Sequence, residues 1–141
     1  MIAYFDTSAV VPLIIDESSS ELCNRIWDES SRVVSARLLY PEARAALARA
    51  ERMGRITQRQ LRLAVVELES VVAEIDHVEL TEAVARAAGE LAETQGLRGY
   101  DAVHLASAES VADSDLVLIA ADSDLVEAAA AIGLAVSNTK V

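Results

Sequence analysis

Leu116-Val-Leu-Ile-Ala120, followed at once by Ala121-Asp122-Ser123-Asp124, is the stretch on which the reading of the fold turns. Five apolar residues that stop just before an acid form a strand suited to a sheet covered on both faces. The alanine-rich run Ser123–Ile132 then reads as a helix ended by Gly133, and Leu134–Ser137 as a last strand. Strand, acid, helix is the unit to look for elsewhere.

It recurs at the start of the chain. Ile2–Phe5 is a short apolar run ending at Asp6, and Thr7–Ile15 is an apolar, helix-like stretch. Ser18–Ser20 caps a helix to about Glu29, with Leu22 and Ile26 on its inner face, and Arg32–Ala36 is a second strand. Pro41 suits only a first helical turn, so a helix opens near it and closes at Gly54. Thr57 and Gln60 have the capping-box spacing and start a long helix to about Ile75, with a brief strand expected at His77–Leu80. Thr81 caps a helix ending at Gly96, and another covers Tyr100–Ala112. Strands separated by helices require crossover connections. The expectation is an α/β, three-layer fold: one domain over residues 1–141, with a mainly parallel central sheet of four to five strands and helices on both faces. In such sheets the functional groove lies beyond the carboxyl ends of the strands.

Composition narrows the class. The 141 residues are 52% hydrophobic with 4% aromatic, which suits an aliphatic, helix-rich domain and excludes disorder. Cys23 is the only cysteine, so an internal disulfide is impossible and a reducing compartment is expected. The apolar run Ala9–Ile15 contains Pro12 and is too short for a bilayer span, and the N-terminus lacks a basic flank. A soluble, cytoplasmic protein without a membrane partner is expected.

Net charge is −11, which argues against a protein that coats nucleic acid. The distribution is uneven, however. Between Arg32 and Arg62 eight arginines face two acids, Glu42 and Glu51, for +6; the remainder, with four basic and 21 acidic residues, is −17. Arginine's planar fork suits phosphate. Arg44 and Arg98 are therefore candidates for contact with a phosphate backbone, against the plainer reading of a solvated helical face.

The acids fall in a pattern. Asp6 and Asp122 end strands, Glu42 lies in the first turn after the second strand, and Asp101 opens a helix after the Gly96–Gly99 turn. Each alone is explained by capping. Together they point to one sheet edge, with Asp124 as a further acid. Clustered carboxylates need a compensating charge, and hard oxygen donors favour Mg²⁺ or Mn²⁺. Such ions act on phosphate esters by polarising the phosphoryl oxygen and activating water.

Four segments, IAYFDTSAVVPL, LLYPEARAAL, GLRGYDAVHLASA and LVLIAADSDL, in this order and spacing, resemble the PIN-domain ribonucleases, and specifically the VapC-type toxins of bacterial type II toxin–antitoxin (VapBC) pairs. The resemblance covers essentially the whole chain. It implies that Asp6, Glu42, Asp101 and Asp122 are catalytic carboxylates holding Mg²⁺ or Mn²⁺, joined in some members by an acid at the position of Asp124. It also implies hydrolysis of RNA to a 5′-phosphate and a 3′-hydroxyl, neutralisation by a cognate VapB-type antitoxin, and homodimer formation. Ala120 stands where many members have Thr or Ser.

Ser8 is expected to orient Asp6 or a metal-bound water, and Thr7 to do so or to cap the following helix. His104, three residues after Asp101, reads as a packed residue rather than a ligand, because a metal pair of the D-x-x-H kind needs a second such pair. His77 has no identifiable partner, and Cys23 reads as a buried small hydrophobe. A different class, a catalytically silent PIN-like module binding RNA or a protein, competes with the enzyme reading. Phosphatase, receiver and nucleotide-binding folds lack their motifs here.

Overall fold

The computed structural model describes all residues, Met1–Val141. The elements follow in the order β1 (Ile2–Phe5), α1 (Thr7–Ile14), α2 (Ser20–Glu29), β2 (Arg32–Ala36), α3 (Leu39–Arg52), α4 (Gln58–Ala73), β3 (Asp76–Val78), α5 (Glu82–Gln95), α6 (Gly99–Ser110), β4 (Leu116–Ala120), α7 (Ser123–Ala131) and β5 (Ala135–Asn138). The strands form one sheet in the order β3-β2-β1-β4-β5, with every pairing parallel. The chain first lays strands outward on one side of β1, then crosses over to build β4 and β5 on the other. The reversal falls between β1 and β4, and it is there that connections diverge and leave a crevice at the carboxyl ends.

Alternation along each strand makes two cores. Ala3 and Phe5 of β1, Val33 of β2 and Ile119 of β4 pack under α1 to α4, with Leu39, Leu47 and Leu68 fully buried among them. Tyr4, Val34 and Leu118 point the other way, against Leu105 of α6 and Leu125 of α7. Helix α5 lies outside α6, through Val84, Ala88, Ala102 and Ala106. The alanines on that seam let two helices approach closely, which explains why alanine is so frequent in these segments. Burying one leucine such as Leu105 stabilises by about 1.5–3 kcal/mol. Truncating it to alanine would cost about 2–5 kcal/mol.

Several expected boundaries move, among them the last strand, which covers Ala135–Asn138 rather than Leu134–Ser137 because its pairing runs on to Asn138 opposite Ala120. Helix α3 starts at Leu39, before Pro41, because the amides of Tyr40 and Glu42 already reach the carbonyls of Arg37 and Leu38. Pro41 still lies in the first turn, where no intrahelical N–H is needed. Strand β3 covers Asp76–Val78 rather than His77–Leu80: its partner β2 ends at Ala36, opposite Val78, so pairing stops there. Pro12 lies inside α1, where its missing N–H leaves the Ser8 carbonyl without a helical partner in this eight-residue helix. No helix is long and apolar enough to cross a membrane.

Candidate active site at the carboxyl edge of the sheet

Asp6 follows β1 directly. Its amide bonds to the Ile119 carbonyl at 3.0 Å, so the first residue past the strand is still held by the ladder. Its Oδ2 accepts from the Ser8 amide (3.1 Å) and the Ser8 hydroxyl (2.6 Å), which makes Asp6 the N-cap of α1. The expected alternative role of Thr7 as that cap is therefore incorrect; the chain turns one residue earlier. Ser8 Oγ also accepts from the Ala121 amide at 2.9 Å, tying the end of β4 to the Asp6 carboxylate.

Glu42, in the first turn of α3, is gripped by one oxygen. Its Oε1 accepts from the Thr7 hydroxyl at 2.8 Å and lies 2.6 Å from His104 Nε2, while Oε2 makes no hydrogen bond to the protein. Thr7 thus serves Glu42, 35 residues away, instead of its own helix.

Asp101, in the first turn of α6, is 8% exposed. Its one cationic partner is Arg98, whose Nε stands 3.4 Å from Oδ2 and whose side chain is mostly in solvent. Burial, together with the nearby charges of Asp122 and Asp6, raises the Asp101 pKa above the ordinary carboxylate value against the opposing pull of Arg98. Asp122 caps α7, its Oδ1 accepting from the amides of Asp124 (3.0 Å) and Leu125 (3.3 Å). Four acids from β1, α3, α6 and α7 thus share one edge of the sheet.

The other candidates are placed differently. Asp124 lies in the first turn of α7 and lines a cleft with Gln95, Leu97 and Glu127. Arg98 stacks over Tyr100, 4.9 Å from the ring centroid, beside the acids. Arg44 hydrogen-bonds the Tyr40 hydroxyl at 2.9 Å and lines an open cleft with Tyr40, Pro41, Arg62 and Val65. Of the other arginines in the basic stretch, Arg32, Arg37 and Arg55 are engaged with Asp76, Glu79 and Glu17. The free positive charge of the +6 segment is therefore smaller than its sequence count.

His104 was expected to be merely packed. It is fully buried, yet its Nε2 faces Glu42 Oε1, Thr7 Oγ1 (3.3 Å) and Asp6 Oδ1 (3.5 Å), and its Nδ1 pairs with the Tyr4 hydroxyl at 2.8 Å. Burial disfavours the charged ring, but the hydrogen bond to Glu42 and the charges of Asp6, Glu42 and Asp101 outweigh it and raise its pKa. The signal in the sequence was the three-residue spacing from Asp101, which puts both side chains on one helical face. His77 has no such role: it sits at the sheet edge, its pKa lowered by burial and by Arg37. Cys23 is fully buried, as expected.

The donor set is all oxygen, apart from the buried imidazole, and mutually repelling, which fits a hard divalent cation. No three of these side chains stand close enough to enclose one ion by themselves.

The PIN domain family model matches residues 3–131. Two ribonucleases of Mycobacterium tuberculosis, VapC45 of strain CDC 1551 / Oshkosh and VapC49 of strain ATCC 25618 / H37Rv, are each 44% identical over 140 residues. Each match covers 99% of this chain and 97% of the relative. Among solved structures, VapC20 of M. tuberculosis, a sarcin-ricin loop cleaving toxin, superposes with a TM-score of 0.71 at 17% identity, covering 99% of this chain and 98% of that one. The VapBC2 complex of Rickettsia felis, bound to promoter DNA, gives 0.65 at 14% identity over 98% of both chains. Family model, relatives and fold agree: the chain belongs to the PIN-domain family, among its VapC-type ribonucleases.

Proposed function

We propose that this protein is the endoribonuclease toxin of a toxin–antitoxin pair, hydrolysing RNA in the cytoplasm with Mg²⁺ or Mn²⁺ and silenced by a VapB-type antitoxin. The observation that carries the reading is the convergence of Asp6, Glu42, Asp101 and Asp122 at the β1/β4 reversal, where burial and the charges of Asp122 and Asp6 outweigh the one cation, Arg98, that pairs with Asp101. A binding module would gain little from buried carboxylates that repel one another.

A divalent cation held by Asp6 and Asp101, with Asp122 and Glu42 beside it, would polarise the scissile phosphate and activate water. The chain's own groups do the rest. Ser8 holds Asp6 Oδ2, so Oδ1 is the oxygen left for the groove. Glu42, fixed through Oε1, keeps Oε2 to orient the attacking water and take its proton. Arg98, beside Asp101, and Arg44, on the helix that carries Glu42, would meet the RNA backbone. The products of such hydrolysis are a 5′-phosphate and a 3′-hydroxyl. A homodimer with the antitoxin bound over the acidic edge is the expected resting state.

The test is cleavage of RNA with Mg²⁺ or Mn²⁺, comparing the wild type with Asp6→Asn and Asp101→Asn. Each substitution is expected to lower the rate by about 10²–10³-fold, the scale of removing one electrostatic contributor at the reacting centre. Cleavage that persists in both variants, or in EDTA, would contradict the proposal.

A further inference from the structure

The buried imidazole of His104 joins four elements. Its ring is carried by α6, and it touches Tyr4 of β1, Thr7 of α1 and Glu42 of α3. The Nε2 distance of 2.6 Å to Glu42 Oε1 is the shortest contact in the cluster, and Thr7 donates to the same oxygen at 2.8 Å. Nε2 must carry the hydrogen, because Glu42 Oε1 only accepts when ionised. This holds for the neutral ring and for the imidazolium alike, so the clamp is present in both.

Burying a polar ring so fully in a helix whose neighbours are Ala102, Leu105, Ala106 and Ala108 would be costly without a return. Leucine fills similar space at no such cost. The return visible in the geometry is the orientation of Glu42. One carboxylate oxygen receives two donors, and the other receives none.

We propose that His104 is a positioning residue for the reaction: with Thr7, it locks Glu42 Oε1, so that Oε2 alone is presented to water and phosphate. Because α6 also carries Asp101 three residues earlier, the helix that supplies one carboxylate sets the orientation of another on α3. Tyr4 completes the lock by fixing the far side of the ring through Nδ1. This role rests on the ribonuclease reading for its catalytic meaning, while the clamp itself is a property of the free protein.

The experiment has two arms. In metal-free protein, the Nε2–H proton of His104 is followed by ¹H–¹⁵N NMR. The clamp predicts a strongly downfield, exchange-protected Nε2–H signal that moves upfield in Glu42→Gln and disappears in His104→Gln. An Nε2 without a proton, or a signal indifferent to Glu42→Gln, would overturn the proposal whatever the activity. In the kinetic arm, His104→Leu is expected to lower kcat on RNA at least tenfold, with KM changed less than threefold. His104→Gln, which keeps an N–H donor, is expected to recover a third or more of wild-type kcat. In a Glu42→Gln background, His104→Leu is expected to cost less than twofold further. Equal losses for Leu and Gln at position 104, or the full tenfold loss in the Glu42→Gln background, would show a structural role instead. Thermal melts accompany each variant; if His104→Leu does not fold, His104→Gln and the double substitution with Glu42→Gln decide. Should wild-type protein cleave no RNA at all, the ribonuclease reading fails and the NMR arm still decides the clamp.

Discussion

Asp6 and Glu42 are held by hydrogen bonds from the protein, whereas the Asp101 carboxylate has only the Arg98 guanidinium as a side-chain partner. The first pair receives hydrogen bonds from Ser8, Thr7 and His104. Asp101 has a mostly exposed Arg98 at 3.4 Å and an unfavourable neighbour in Asp122. The difference separates two tasks. Orientation is built into the fold, with each of the first two carboxylates fixed through one oxygen. Charge compensation is left to a cation that arrives from solvent, and the side that needs it most is the less constrained one.

The largest way to break this contrast is Asp101→Asn. Beyond its loss of cleavage, it should make the metal-free protein more stable. The sign follows from the raised pKa: a carboxyl that holds its proton more tightly when folded contributes stability at acid pH and loses it as pH rises through the folded value. At neutral pH the charged Asp101 is thus a burden that asparagine removes. The lost ion pair with Arg98, whose side chain is mostly in solvent, offsets part of that gain, by about 0–1 kcal/mol. Metal-free Asp101→Asn should melt a few degrees above wild type at pH 7–8, and the advantage should vanish as the pH falls below the carboxylate range. A variant that melts lower across the whole range would show that Asp101 is not strained.

Ser8→Ala probes the constrained side. It removes a hydroxyl bond to Asp6 and leaves the Ala121 amide without its acceptor. The expected loss in kcat, measured at saturating metal, is about tenfold, the low end of the ~1.5–3 kcal/mol attached to one hydrogen bond to a charged group. An unchanged rate would mean that the orientation of Asp6 does not depend on Ser8.

Arg44→Gln should act through substrate binding alone. KM for RNA is expected to rise two- to fivefold at low salt, with the difference fading as salt screens the contact. A loss confined to kcat would move Arg44 into the reacting centre.

The smallest effect belongs to Asp124→Asn, whose carboxylate lines the cleft beside Gln95 and Leu97. Cleavage within threefold of wild type is expected; a loss as large as that of Asp101→Asn would place it among the metal-holding acids.

Much of this was legible in the chain. Apolar runs that stop before acids gave β1 and β4, and caps and glycines gave the helix ends, because both signals are local. The convergence of four acids was readable from the α/β pattern, since parallel strands bring their carboxyl ends to one edge. What was not legible depends on partners far apart in sequence. Thr7 looked like a cap until Glu42, 35 residues on, was placed beside it. His104 looked like core because its neighbours are apolar, while its polar partners lie 62 and 100 residues away. The same distance effect reduces the basic stretch, where three arginines are matched by acids outside it.

Whether a cation completes the weakly held Asp101 is read most directly by thermal melts during a Mn²⁺ titration without RNA. A ligand that binds only the folded state raises its stability by RT ln(1 + [L]/Kd), about 2.7 kcal/mol at a hundredfold excess over Kd. Wild-type Tm should climb several degrees with Mn²⁺ while Asp101→Asn stays flat from its higher metal-free value. An equal rise in both proteins, or none in the wild type, would contradict it.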